Sequence, residues 1–184
     1  MHMDIKKEHY TIEQVASMQG HVELIDGTIV IEDRVSVTHN LVMNDIATSF
    51  KNYISGKSGT CKVFTENVAL YVSELCDENM NYFLPDLMVV CDENKIDEDG
   101  VHTAPLFVAE ITSESTKKTD YGEKLNIYRK IGVEEYWVVD IQRKMIFRYL
   151  AAEDYVPVAY IYPELMTVSV YEDLFIDLSS YMKQ

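Results

Sequence analysis

The chain has 184 residues, 47% of them hydrophobic, with seven Gly and four Pro. That supports one domain with a full core and excludes a disordered tract or a long linker. No apolar run approaches the ~18 residues of a membrane span, and residues 1–10 are polar without the apolar core of a signal peptide, so the expected location is the cytoplasm, with no membrane partner. Sixteen basic residues against thirty-one acidic ones give a net charge of −15, which opposes non-specific binding to a phosphate backbone.

Thr11 and Gln14 form a capping-box pattern, which predicts a short helix ending near Gly20. Two β-rich runs, 22–25 and 28–31, flank Asp26-Gly27, the pair that a type I′ hairpin turn favours. Ser36 can cap a second helix to about Ile54, with Val42, Ile46, Phe50 and Tyr53 on its apolar face. A strand-rich block over 61–65, 67–73 and 82–91 follows, then an acidic loop around Asp92, Glu93, Asp97, Glu98 and Asp99 that reads as a solvated face. Residues 106–111 are almost wholly apolar, as suits a strand covered on both faces. A third helix spans roughly 118–131, with Tyr121, Leu125 and Tyr128 as its buried stripe and Gly132 as its stop. Strands over 135–139, 145–150, 155–161 and 174–176 complete the chain. The mixed order of elements predicts one α/β (α+β) domain over residues 1–184, a mixed central β-sheet flanked by helices. Cys61, Cys76 and Cys91 lack a C-x-x-C spacing and read as small buried or half-buried thiols.

Two carboxylates fall where strands should be apolar. Asp86 precedes Leu87-Met88-Val89-Val90, and Glu110 sits near the end of the 106–111 run. Buried charges need a partner, a hydrogen bond or a metal, and two close acids attract a hard divalent cation. The bland reading, a turn cap or a Lys pair for each, carries about half the weight on pattern alone. Lys124 shares a helix face with Asp120 and Tyr128; it is either a cation aimed at the acids or half of a surface ion pair with Asp120. His39, three residues after Ser36, could hold a phosphate, position a water or ligate a metal, or simply sit beside a cap. Glu23 taken alone is a solvent-facing strand carboxylate, and Asp26 is turn chemistry. Trp137 reads as a core or dimer-contact aromatic. No G-x-S-x-G, Gly-rich phosphate loop or H-E-x-x-H is present, which removes serine hydrolase, nucleotide kinase and zinc protease chemistry.

Taken together, Val22-Glu23-Leu24-Ile25-Asp26-Gly27, Ser36-x-x-His39, Pro85-Asp86-Leu87, Val108-Ala109-Glu110-Ile111-Thr112-Ser113, Asp120 with Lys124 and Tyr128, and Gly132-Val133-x-Glu135-Tyr136-Trp137-x-Val139-Asp140 resemble the Uma-two family of bacterial endonucleases, within the PD-(D/E)XK superfamily. The resemblance covers a core of about residues 10–155. It implies a restriction-endonuclease-like fold and a metal-dependent endonuclease acting on DNA. It implies that Asp86, Glu110 and the main-chain carbonyl of Ile111 bind Mg2+ or Mn2+, and that Lys124, Glu23 and His39 complete the catalytic set. Thr112 stands where the superfamily has Lys, and Lys124 matches the family's replacement for it. Ser113, Lys117 and Lys118 are candidates for DNA contact; eight of the sixteen basic residues lie between 117 and 148. The contrasting reading is a catalytically silent module that binds nucleic acid or protein. A homodimer through the strands after Gly132, and a partner protein that supplies the target, are further expectations.

Overall fold

A computed structural model describes residues 10–31, 34–76, 80–112, 119–161 and 163–182. The N-terminal part forms α1 (Ile12–Ala16), β1 (Val22–Ile25), β2 (Thr28–Ile31) and α2 (Val37–Gly56). Next come β3 (Lys62–Thr65), α3 (Ser73–Cys76), β4 (Leu87–Val90) and β5 (Phe107–Ile111). A π-helical turn (Thr119–Glu123) runs into α4 (Lys124–Ile131), and β6 (Glu135–Asp140), β7 (Met145–Leu150) and β8 (Val158–Ile161) follow. β9 (Leu165–Thr167), β10 (Phe175–Asp177) and α5 (Ser179–Met182) end the described chain.

Six strands make the central sheet in the order β3-β4-β5-β6-β7-β8. Only β5 and β6 run parallel. A parallel pair needs a crossover, and the π turn with α4 supplies it. The sheet is therefore mixed, as the element order predicts.

Strand alternation assigns the two faces. Leu87, Val89, Phe107, Ala109, Ile111, Trp137 and Val139 pack on one side against Val42, Ile46 and Phe50 of α2 and against Met166 and Ile176 of the small β9–β10 pair. Met88, Val90, Val108, Tyr136 and Val138 pack on the other against Ile127 and Tyr128 of α4 and against Leu70 and Phe83. A third cluster joins Val15 of α1 to Val22 and Leu24 of the hairpin. No helix of the described residues is long and apolar enough to cross a membrane.

Several local expectations differ from the result. α1 ends at Ala16 rather than near Gly20, although its Thr11–Gln14 capping box is present. The 67–73 run is irregular: Leu70 makes isolated bridges to Phe83 and Val101, and Ser73 begins a helical turn. Of 82–91 only Leu87–Val90 is regular strand. β9 falls in a stretch that composition leaves without a strand. The buried stripe of the third helix carries Asp120, Lys124, Ile127 and Tyr128, while Tyr121 and Leu125 are half-buried at its flank. Cys61 and Cys91 are not separate thiols but a disulfide, across the continuation of the β3–β4 register; Cys76 is free and half-buried.

Candidate active site

The site lies where β3, β4 and β5 meet at one end of the sheet. Thr65 pairs with Leu87 and Leu87 with Ala109, both antiparallel. One step further along the same register, Glu66 stands beside Asp86 and Asp86 beside Glu110. Three carboxylates thus form one row across three adjacent strands. Like charges directly opposite one another are destabilising, so the row requires cations or donors around it.

Each member finds different company. The Asp86 Oδ2 atom accepts the Ile111 amide at 2.7 Å, and its Oδ1 accepts His39 Nε2–H at 3.0 Å. His39 is held there by its element: Ser36 caps α2, its Oγ accepting the His39 amide at 3.0 Å, which turns the imidazole of the first helical turn onto the sheet end. His39 is buried, not a partly exposed residue beside a cap. On Glu110, Oε1 accepts from Lys124 Nζ at 3.1 Å and from the Tyr128 hydroxyl at 2.7 Å, while Oε2 accepts the Asp86 amide at 3.3 Å. Burial, aided by the Glu110 charge, pushes the Tyr128 phenol well above its ordinary pKa, so it remains a donor.

Lys124 is 1% exposed and meets three carboxylates: Glu23 Oε2 at 2.9 Å, Glu110 Oε1 at 3.1 Å and Asp120 Oδ1 at 3.8 Å. The surface ion pair with Asp120 is thereby replaced by a buried cluster. Glu23 faces inward, and its Oε1 accepts the Leu84 amide at 2.7 Å. The π turn sets Asp120 beside Lys124, and the Tyr136 hydroxyl fixes that turn by donating to the Asp120 carbonyl at 2.9 Å. The expected set Asp86, Glu110, Lys124, Glu23 and His39 therefore converges. Ile111 meets Asp86 through its amide. Ser113, Lys117 and Lys118 lie outside the described residues.

Glu66 is the member that sequence reading misses. It follows a strand in a turn with positive φ at both Glu66 and Asn67, and its amide donates to the Asp86 carbonyl at 3.1 Å. Its Oε1 is buried and has no hydrogen-bond partner among the described residues. Among those residues, the group of three His, Cys, Asp or Glu donors lying within 4.8 Å of one another is His39, Glu66 and Asp86. This donor set fits a divalent metal: two carboxylates, one imidazole and an orphaned oxygen. The buried acid Glu135 is instead engaged at both oxygens. Glu135 accepts Trp137 Nε1–H at 2.7 Å and the Val170 amide at 2.9 Å, a structural staple.

A mixed sheet sandwiched by helices, with an acid row at the end of its central strands, defines a restriction-endonuclease-like α/β domain. The chain belongs to the Uma2 family, described as "Putative restriction endonuclease", whose profile matches residues 8–179. The match includes β8, β9 and β10, beyond the 10–155 core. A crystal structure from Anabaena variabilis ATCC 29413, described as "a putative nuclease belonging to DUF820", superposes with a TM-score of 0.71, covering 95% of this chain and 99% of that one at 16% identity. An uncharacterized protein of Synechocystis sp. (strain PCC 6803) is 27% identical over 121 residues, which are 64% of this chain and 65% of that protein.

Proposed function

We propose that the protein is a metal-dependent endonuclease that hydrolyses phosphodiester bonds of DNA. The observation that carries this reading is the Glu66–Asp86–Glu110 row with Lys124 buried against Glu110. A bound Mg2+ or Mn2+, held by Asp86 with Glu110 and the Ile111 carbonyl, would lower the pKa of a water and offset charge on the phosphate.

The remaining steps fall to the chain's own groups. Lys124, fixed between Glu23 and Glu110, would orient the attacking water or stabilise the oxygens of the transition state. Tyr128 and the Asp86 amide hold the Glu110 carboxylate in a single orientation. Glu23 holds Lys124 and could accept a proton, while His39 orients Asp86 and could bind a phosphate oxygen. Ser113, Lys117 and Lys118 would meet the DNA backbone.

The net charge of −15 supports a second reading, a catalytically silent module that binds nucleic acid or protein and relies on a partner protein to reach its target. Ile161 on edge strand β8 and Leu165 and Phe175 of the β9–β10 pair are exposed, which supports a homodimer through the strands after Gly132. We infer that the protein acts in the cytoplasm, beside the nucleic acid it is proposed to cleave.

Purified protein incubated with supercoiled and single-stranded DNA, with Mg2+, Mn2+ or EDTA, separates the two readings. The nuclease reading expects cleavage that needs the metal and is lost in folded Asp86→Ala and Glu110→Ala. Absence of cleavage by active-metal preparations, or equal cleavage by the variants, favours the binding module.

A further inference from the structure

We propose that His39 Nε2, Glu66 Oε1 and Asp86 Oδ1 form a cation seat of their own, next to the Asp86–Glu110 pair, and that it takes a first-row transition ion of the Mn2+ type. The inference rests on the metal-dependent reading of the site and extends it to a second ion with a nitrogen donor.

The two oxygens of Asp86 are differently engaged. Oδ2 is turned to the Ile111 amide of β5, the Glu110 side, whereas Oδ1 is turned to His39. One carboxylate can therefore serve two neighbouring positions. On the His39 side, Glu66 Oε1 is buried without a hydrogen-bond partner among the described residues. A buried carboxylate oxygen left in that state carries a desolvation cost that a bound cation removes.

The spacing also fits. Adjacent ligands of an octahedral ion with bonds of about 2.1 Å lie about 3 Å apart, the 3.0 Å that separates His39 Nε2 and Asp86 Oδ1; the ion would replace the proton between them, the imidazole keeping its N–H on Nδ1 and the displaced proton leaving to solvent. One ligand atom from each of His39, Glu66 and Asp86 lies within 4.8 Å of the other two, so an ion could enter without moving the backbone.

Charge balance argues the same way. Glu23, Asp86, Glu110 and Asp120 are all buried, with Glu66 beside them, and Lys124 is already shared by Glu23, Glu110 and Asp120. Its ammonium serves the β5 side of the row. The imidazole sets the ion's class. Imidazole favours transition ions over Mg2+, and two carboxylates beside it are the ligands that suit Mn2+ among them.

The test is a titration of the folded protein with Mn2+, followed by the electron paramagnetic resonance signal of the free ion. Glu66→Gln keeps the size of the side chain and sits in a turn, so its folding is checked by its thermal transition. Wild type is expected to bind one more Mn2+ per chain than Glu66→Gln, and Glu110→Gln is expected to retain that ion. His39→Gln should weaken it by more than the ~10–100-fold that loss of an outer-shell partner causes. Mg2+ should compete poorly for it. Equal Mn2+ stoichiometry and affinity in wild type and Glu66→Gln would overturn the proposal. So would a Mn2+ ion lost in Glu110→Gln but not in Glu66→Gln. Because the readout is binding, a protein that holds the ion yet cleaves no DNA keeps this inference and loses the nuclease reading. A protein that cleaves DNA while Glu66→Gln binds Mn2+ as wild type does the reverse.

Discussion

Lys124 is where stability and the proposed chemistry meet. Removing one partner of a buried ion pair leaves an uncompensated charge, and here three carboxylates lean on a single ammonium. Lys124→Met is expected to destabilise the fold by about 3–5 kcal/mol, read from urea unfolding. Adding Glu23→Gln in the same chain should recover part of that loss, because one of the stranded charges is gone. His102 offers a separate titrating device away from the site. It lies between Glu74 of α3 (2.9 Å) and Asp97 (3.3 Å) and stacks on Tyr71. Partial burial pulls its pKa down, but hydrogen bonds and charge from Glu74 and Asp97 outweigh this and raise it above its ordinary 6.5. A raised pKa means that the stabilisation is complete below about pH 6.5 and fades as pH climbs through the folded value. The thermal transition of wild type should therefore exceed that of His102→Gln at pH 5.5 and approach it by pH 9; a constant difference would contradict the clamp.

The limits of sequence reading also appear at single residues. Glu110 stands out because it interrupts an apolar strand, Asp86 because it directly precedes one, and Lys124 because it shares a helix face with Asp120. Glu66 gives no such signal: in Thr65-Glu66-Asn67 it is an acid in a polar turn. Its neighbours are set by how β3 pairs with β4, and cross-strand proximity is not a spacing along the chain. The same reason hid the partnership of Cys61 with Cys91.

Among the elements, α2 and the crossover carry the site. Ser36 is legible as a cap, and the helix runs as its apolar period predicts; what the period does not reveal is that capping fixes the His39 backbone under Asp86. Ser36→Ala should cost about 1 kcal/mol of stability and loosen His39, seen as a broadened imidazole resonance. The crossover begins as a π turn, a distortion that often accompanies function, and it replaces the apolar stripe of Tyr121 and Leu125 with one that presents Asp120 and Lys124 inward. At the far end of β3 and β4, the Cys61–Cys91 disulfide closes a span of 30 residues. Reduction should lower stability by about 2–4 kcal/mol while leaving the strands paired, since Val63, Val89 and Phe107 hold that part of the sheet by burial. Urea titrations with and without reductant measure this directly.

At the scale of the molecule, the mixed sheet and its two helical covers follow from the order of elements and the almost wholly apolar run around Phe107–Ile111. The small β9–β10 pair did not, because Leu165–Thr167 is too short to show alternation. An acidic surface and an acidic centre have opposite consequences. The surface repels bulk DNA, so binding should be weak and specific contacts few, whereas the centre is proposed to hold a cation. The account stands on the claim that the row formed by Glu66, Asp86 and Glu110 is such a centre. Anomalous diffraction from crystals saturated with Mn2+ tests it most directly. A Mn2+ peak in contact with Asp86, flanked by His39 and Glu66, is the predicted result. Saturated crystals with no peak at Asp86, and with His39 and Lys124 still hydrogen-bonded to the row, would contradict it.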